Sequence, residues 1–265
     1  MKKYKLLPYI IVVCLIGCAT VPVTGRKQLS LVSSSQLFAL SSDSYRQLIS
    51  KAKLSTDTEN TQMLQEVGKR IAVAAEEFMR ENNMAQEIQS YRWEFNLIED
   101  EKAVNAFAMP GGKVAVYTGI LPVTKDADGL ATVVGHEIAH VMANHGGERM
   151  SQLLLVNLGG IALATAVRQK PNETQQYVMI AYGLGANVGV LLPYSRTHES
   201  ESDRIGLILM ARAGYDPRKA IGFWERMNAQ KKLRPPEFLS THPAPARRID
   251  DIRKTIPEAM GYYKN

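Results

Sequence analysis

An α+β fold, mostly helical with one small sheet, is predicted by three observations in this 265-residue chain. Apolar residues recur at helical spacing in two early segments, two short alternating stretches flank a Pro-Gly-Gly turn, and the chain after Asp126 reads as helix almost to its end. The length allows one large domain or two small ones. No repeat, low-complexity tract or second-domain boundary interrupts it, so residues 36–265 are read as one domain. With 45% hydrophobic and 22% charged residues, the chain is ordinary for a globular protein, which excludes disordered, collagen-like and coiled-coil chains. Two cysteines are too few for a disulfide framework or a cysteine-based zinc site.

The first element is an address. Lys2, Lys3 and Lys5 precede an apolar run from Leu6 to Ile16, which reads as a signal peptide over residues 1–17. The run is about half of the ~20 residues that a spanning helix needs. Leu15-Ile16-Gly17-Cys18 resembles a bacterial lipobox, and that resemblance implies cleavage before Cys18 and acylation of Cys18 as a membrane anchor. Several acyl chains hold a protein at a membrane durably, where one binds only marginally. Ala19, rather than Asp, after the cysteine resembles the sorting signal for the periplasmic face of the outer membrane. Val21 to Ser35 has Pro22, Gly25 and no helical period, so 18–35 is read as a lipidated cysteine and tether. Three of the six net positive charges belong to the export segment. No dense Lys/Arg stripe interleaved with aromatics exists, which argues against nucleic acid.

Gln36 to Leu54 is helical in spacing. So is Thr58 to Arg80, where Met63, Leu64, Val67, Ile71, Ala74, Ala75 and Phe78 form one stripe. Trp93 to Leu97 alternates as a strand does, and Val114 to Thr118 forms a second strand after Pro110-Gly111-Gly112. A helix break is expected at Gly146-Gly147, and Asp216-Pro217 suits the start of a later helix. Leu153–Val167 and Tyr177–Leu192 are unusually apolar. They are read as buried helices in preference to a hairpin dipping into lipid.

His136-Glu137-Ile138-Ala139-His140 carries the chemistry. Four residues is slightly more than one helical turn, so both imidazoles project side by side and can reach one Zn²⁺ at about 2.0–2.1 Å. Glu137 lies about 100° round the helix, beside the metal, where it can take a proton from the attacking water. A catalytic zinc needs a third protein ligand and an open position. His145 falls half a turn from the ligand face and is assigned to the helix end instead. In Ser195 to Asp203, Glu199 and Asp203 are four apart and share a face, so one can bind metal while the other supports a ligand histidine. Glu199 is taken as the third ligand and Asp203 as its companion. Glu201 has only Ile205 at that spacing, and His198 points elsewhere.

The HExxH pattern followed some sixty residues later by Ser195-Arg196…Glu199…Glu201…Asp203 resembles the gluzincin metallopeptidases of family M48, from about Gln36 to the C-terminus. The resemblance implies a zincin-like fold whose edge strand borders the active-site helix, one Zn²⁺ per chain, and Glu199 as ligand. It departs at Ser202, where that family commonly has Ala. Asn105 to Gly112 is similar to the edge-strand region, which implies that Asn105 and Ala106 contact an extended polypeptide substrate by strand addition. Ser240-Thr241-His242-Pro243 resembles a late histidine motif, implying that His242 stabilises the oxyanion. The function expected is a zinc endopeptidase acting on misfolded or unassembled cell-envelope proteins. The alternative is a periplasmic chaperone or assembly factor, working with envelope assembly machinery, whose zinc is structural or latent. The stretch Leu233 to Leu239 is a candidate plug over the metal.

Overall fold

A computed structural model describes residues 18–21, 24–187, 191–230, 236–242 and 247–263. The expected signal peptide, residues 1–17, lies outside them, as do residues 233–235 of the candidate plug. The chain opens with a hairpin of β1 (Cys18–Thr20) and β2 (Lys27–Leu29). Helix α1 (Ser34–Lys51) follows, started by a capping box in which Ser33 and Gln36 satisfy each other's end groups. Helix α2 (Thr58–Glu81), capped by Asp57, buries the predicted stripe from Leu64 to Phe78.

After the short helix α3 (Ala85–Ile88) comes a three-stranded sheet of β3 (Glu94–Ile98), β4 (Ala106–Met109) and β5 (Lys113–Tyr117). β5 is central, parallel to β3 and antiparallel to β4, which leaves β4 as an edge. Gly111 and Gly112 both have positive φ (88° and 84°) at the β4–β5 turn, a conformation that glycine adopts without a Cβ penalty. Helix α4 (Leu121–Thr124) then leads into α5 (Ala127–Met142), whose first turn is capped by Asp126. α5 is buried on nearly every side, between α2, the sheet and α8 (Leu192–Arg212). Gly135 and Gly206 make the α5–α8 approach possible. A Cβ on Gly135 would stand 2.9 Å from the Gly206 carbonyl oxygen, and one on Gly206 would stand 2.9 Å from the His136 nitrogen. Helices α9 (Lys219–Gln230), α10 (Glu237–Thr241) and α11 (Arg248–Met260) close the far side of the core.

Three expectations need correction. The break between α5 and α6 (His145–Val167) falls at Asn144, which takes a left-handed φ of 53°, while Gly146 and Gly147 lie inside the first turn of α6. Asn tolerates that conformation, so a glycine pair was not needed for it. The segment expected to be a tether is packed onto the body: Val21 is fully buried, and the Leu31 N–H donates to Ser151 Oγ at 2.9 Å. Lastly, α6 beyond Gln152 and α7 (Asn172–Ala186) are not buried helices. They form a hairpin in which no residue from 153 to 187 is buried. Apolar composition marks a segment that avoids water, but does not say whether protein or lipid replaces it.

Candidate metal centre

α5 carries His136 and His140 one turn apart, and the close α5–α8 crossing sets Glu199 of α8 against them. His136 Nε2 and His140 Nε2 are 3.1 Å apart. Glu199 Oε2 lies 3.3 Å from His136 Nε2, and Oε1 lies 3.4 Å from His140 Nε2. His242, at the end of α10, brings Nδ1 to 3.4 Å from His136 Nε2 and 3.2 Å from Glu199 Oε1. These four side chains each offer a donor atom, all within 4.8 Å of one another. A tetrahedral zinc with bonds of about 2.0–2.1 Å would separate its donors by roughly 3.3 Å, so the observed spacings fit that ion. Glu199 Oε2 is buried and accepts no hydrogen bond in the protein, as expected of a metal-directed oxygen. Burial alone would raise the Glu199 carboxyl, but the facing imidazoles of His136, His242 and His140 hold it far below the usual carboxylate range.

The face of His136 away from the donors is held by Asp203, whose Oδ1 lies 3.0 Å from Nδ1. Arg248 in turn donates to Asp203 at 2.6 Å and stacks over the Trp224 ring at 3.4 Å. A carboxylate on the remote imidazole nitrogen fixes tautomer and orientation. Arg248, buried at the start of α11, carries no sequence signal that distinguishes it from the neighbouring Arg247, which is exposed.

Glu137 is buried beside the donors, and its Oε2 accepts the backbone N–H of Ala108 in β4 at 3.2 Å. Its other oxygen lies 3.3 Å from His242 Nε2. Burial raises the Glu137 carboxyl above its ordinary range, against the lowering pull of His242 and His136, which suits a proton acceptor working near neutral pH. A cleft of about 200 Å³ opens here, lined by Phe107, Ala108, Glu137, His140, Arg149 and His242 among others. Asn105 and Ala106 are not part of that lining. Both are buried at the start of β4, and the Asn105 side-chain oxygen accepts the Ala106 N–H at 2.9 Å.

His145 is not in the donor set, but it is not a simple helix-end residue either. Its Nδ1 lies 2.9 Å from His140 Nδ1 and its Nε2 lies 3.1 Å from Glu201 Oε2. Its ring stacks on that of His198 at 4.2 Å, and His198 Nε2 reaches Glu148 at 2.8 Å. Arg26, from the segment between β1 and β2, closes the network with four N–H···O bonds of 2.7–2.9 Å, two to Glu148 and two to Glu201. Burial would raise both carboxyls. The partners, His198 and Arg26 for Glu148 and His145 and Arg26 for Glu201, outweigh burial and hold each at about 2. Sequence reasoning passed over Arg26 and Glu148 and set Glu201 aside for want of a partner at helical spacing. They lie 122 and 53 residues apart along the chain, and no local spacing links them.

A family model described as peptidase family M48 matches residues 59–256. The chain is 34% identical over 245 residues to the mitochondrial metalloendopeptidase OMA1 of Schizosaccharomyces pombe, covering 91% of this chain and 67% of that protein. It is 29% identical over 252 residues to the Homo sapiens metalloendopeptidase OMA1, covering 90% and 46%. It is 30% identical over 250 residues to the beta-barrel assembly-enhancing protease of Escherichia coli, covering 88% and 46%. The chain thus spans two thirds of the first of these relatives and about half of the other two.

Proposed function

Because this chain belongs to peptidase family M48, a family of zinc metallopeptidases, we propose that it cleaves misfolded or unassembled proteins of the cell envelope as an endopeptidase. The single observation that carries the reading is the meeting of His136, His140 and Glu199 with Glu137 beside an open sheet edge. Those three residues would hold the zinc. When bound there, zinc lowers the pKa of water and polarises a peptide carbonyl. Glu137 takes the proton of the attacking water and returns it to the leaving amine. His242, with Nε2 beside Glu137, donates a hydrogen bond to the developing oxyanion. Asp203 and Arg248 keep His136 in its ligating orientation. The free edge of β4, which begins at Asn105 and Ala106, binds an extended chain through backbone hydrogen bonds, with little demand on side-chain identity.

The lipobox-like Leu15 to Cys18 supports anchoring through Cys18, and Ala19 supports the periplasmic face of the outer membrane. The test is digestion of casein by the purified chain with and without a zinc chelator, beside a Glu137→Gln variant that retains its zinc. Chelator-sensitive cleavage that is lost in Glu137→Gln supports the peptidase. A chain that suppresses aggregation of an unfolded outer-membrane protein equally well in both forms, and cleaves nothing, is the assembly factor instead.

A further inference from the structure

The α6–α7 hairpin is a surface feature that the metal centre leaves unexplained. Within α6 only the first turns, up to Gln152, are buried against the body. Beyond them, Leu155, Leu158, Ile161, Tyr177, Ile180 and Leu184 are between 46% and 73% exposed. Exposure runs round both helices and is not confined to one stripe. The seam between them is made of small residues: Gly159 and Gly160 lie against Tyr182, whose hydroxyl donates to the Val156 carbonyl at 2.7 Å. No charged residue occurs from Met150 to Val167 or from Thr174 to Ala186. Charge returns only at the tip, with Arg168, Lys170 and Glu173.

We propose that this hairpin is embedded in a lipid bilayer. A protein partner would need one complementary face, whereas a helix pair that is apolar all round is matched by a medium that is apolar all round. α6 is long and apolar enough to cross a membrane. Its exposed part, Leu153 to Val167, extends about 22 Å at 1.5 Å per residue. Snorkelling Arg168 and Lys170 side chains cover the remainder of a hydrocarbon core about 30 Å thick and end among anionic headgroups. Within each of the two helices the backbone bonds to itself, as hydrocarbon requires, and the glycine seam is the close contact that apolar helices use in lipid. The root of the hairpin is tied to the segment that follows Cys18, through Arg26 to Glu148 and Leu31 to Ser151, so lipid anchor and hairpin would enter one membrane. Gly146 and Arg149 at that root line the cleft, and the embedded hairpin therefore holds the cleft beside the bilayer surface.

The test uses the full chain with Cys14→Ser and Cys18→Ser, so that one introduced cysteine can carry an environment-sensitive fluorophore. Labels are placed at Leu158→Cys, at Ile180→Cys, and at the exposed control Lys69→Cys on α2. The vesicles are phosphatidylethanolamine with phosphatidylglycerol, bearing quenchers either near the headgroup or deep in the acyl chains. The hairpin labels are expected to shift to the blue and be quenched several-fold more by the deep quencher than by the shallow one, with the Lys69→Cys label unchanged. Leu155→Glu combined with Ile180→Glu, both at exposed positions, should weaken vesicle partitioning of the unlabelled chain at least tenfold with helix content unchanged by circular dichroism. Hairpin labels that stay in water while the chain floats with vesicles would overturn the proposal. So would a blue shift that appears without lipid and grows with protein concentration, which assigns the face to a second copy.

Discussion

Replacing Arg26 with Ala should destabilise the protein by about 3 kcal/mol at neutral pH, although this residue lies in a segment whose sequence suggests only a linker. Its side chain is 20% exposed, whereas those of Glu148 and Glu201 are 1% and 6% exposed. Removing one partner of a buried ion pair leaves charge uncompensated and costs about 3–5 kcal/mol. The lower end applies because His198 and His145 still reach the two carboxylates and Arg26 is partly solvated. Equilibrium urea unfolding of the zinc-loaded chain, followed by circular dichroism, measures the difference. The pH dependence has a fixed sign. Both folded carboxyls titrate at about 2, below the ordinary 4.5, so their contribution is fully present above pH 4.5 and is lost as pH falls from there towards 2. The gap between wild type and Arg26→Ala should therefore narrow as pH falls from 4.5 to 3.5. Arg26→Lys, which keeps charge but not the double fork, should fall between the two. A loss below about 0.5 kcal/mol at pH 7, the level of an exposed ion pair, would refute the reasoning, as would a gap that does not change with pH.

Asp203→Ala should weaken zinc binding about 10- to 100-fold by competitive chelator titration, because His136 loses the carboxylate that orients it. His242→Ala should lower kcat/KM by about 10²–10³ with zinc content unchanged, the loss expected for one oxyanion donor. A rise in activity would show instead that the His242 ring occupies the fourth metal position in the resting enzyme. Gly206→Ala should destabilise by about 1–3 kcal/mol in urea unfolding, since the new methyl group would meet backbone atoms of α5 at 2.9–3.0 Å.

The residues of the candidate site divide by how far their signals reach along the chain. The 136–140 spacing on one helix is a local property, and helical geometry alone aligned those two imidazoles before any tertiary contact was considered. The four-residue spacing of Glu199 and Asp203 was likewise legible, and in the fold these carboxylates address opposite sides of His136. Asn105 and Ala106 rest on the likeness of a short motif, and the fold sets them at the buried start of β4, next to Phe107 and Ala108, which line the cleft. Arg248 and Arg26 had no local pattern, since each acts on residues more than forty positions away.

Periodicity, spacing and composition, all short-range properties, were enough to decide the helix-rich α+β class, the zinc-ligand helix and the apolar character of Leu153–Val167 and Tyr177–Leu192. Three matters waited for the folded chain: the α5–α8 crossing at Gly135 and Gly206, the seating of Arg26 between two buried carboxylates, and the exposure of the apolar hairpin. Each depends on which distant segments become neighbours. That choice is set by burial and pairing summed over the whole core, and a single window of sequence does not contain the sum.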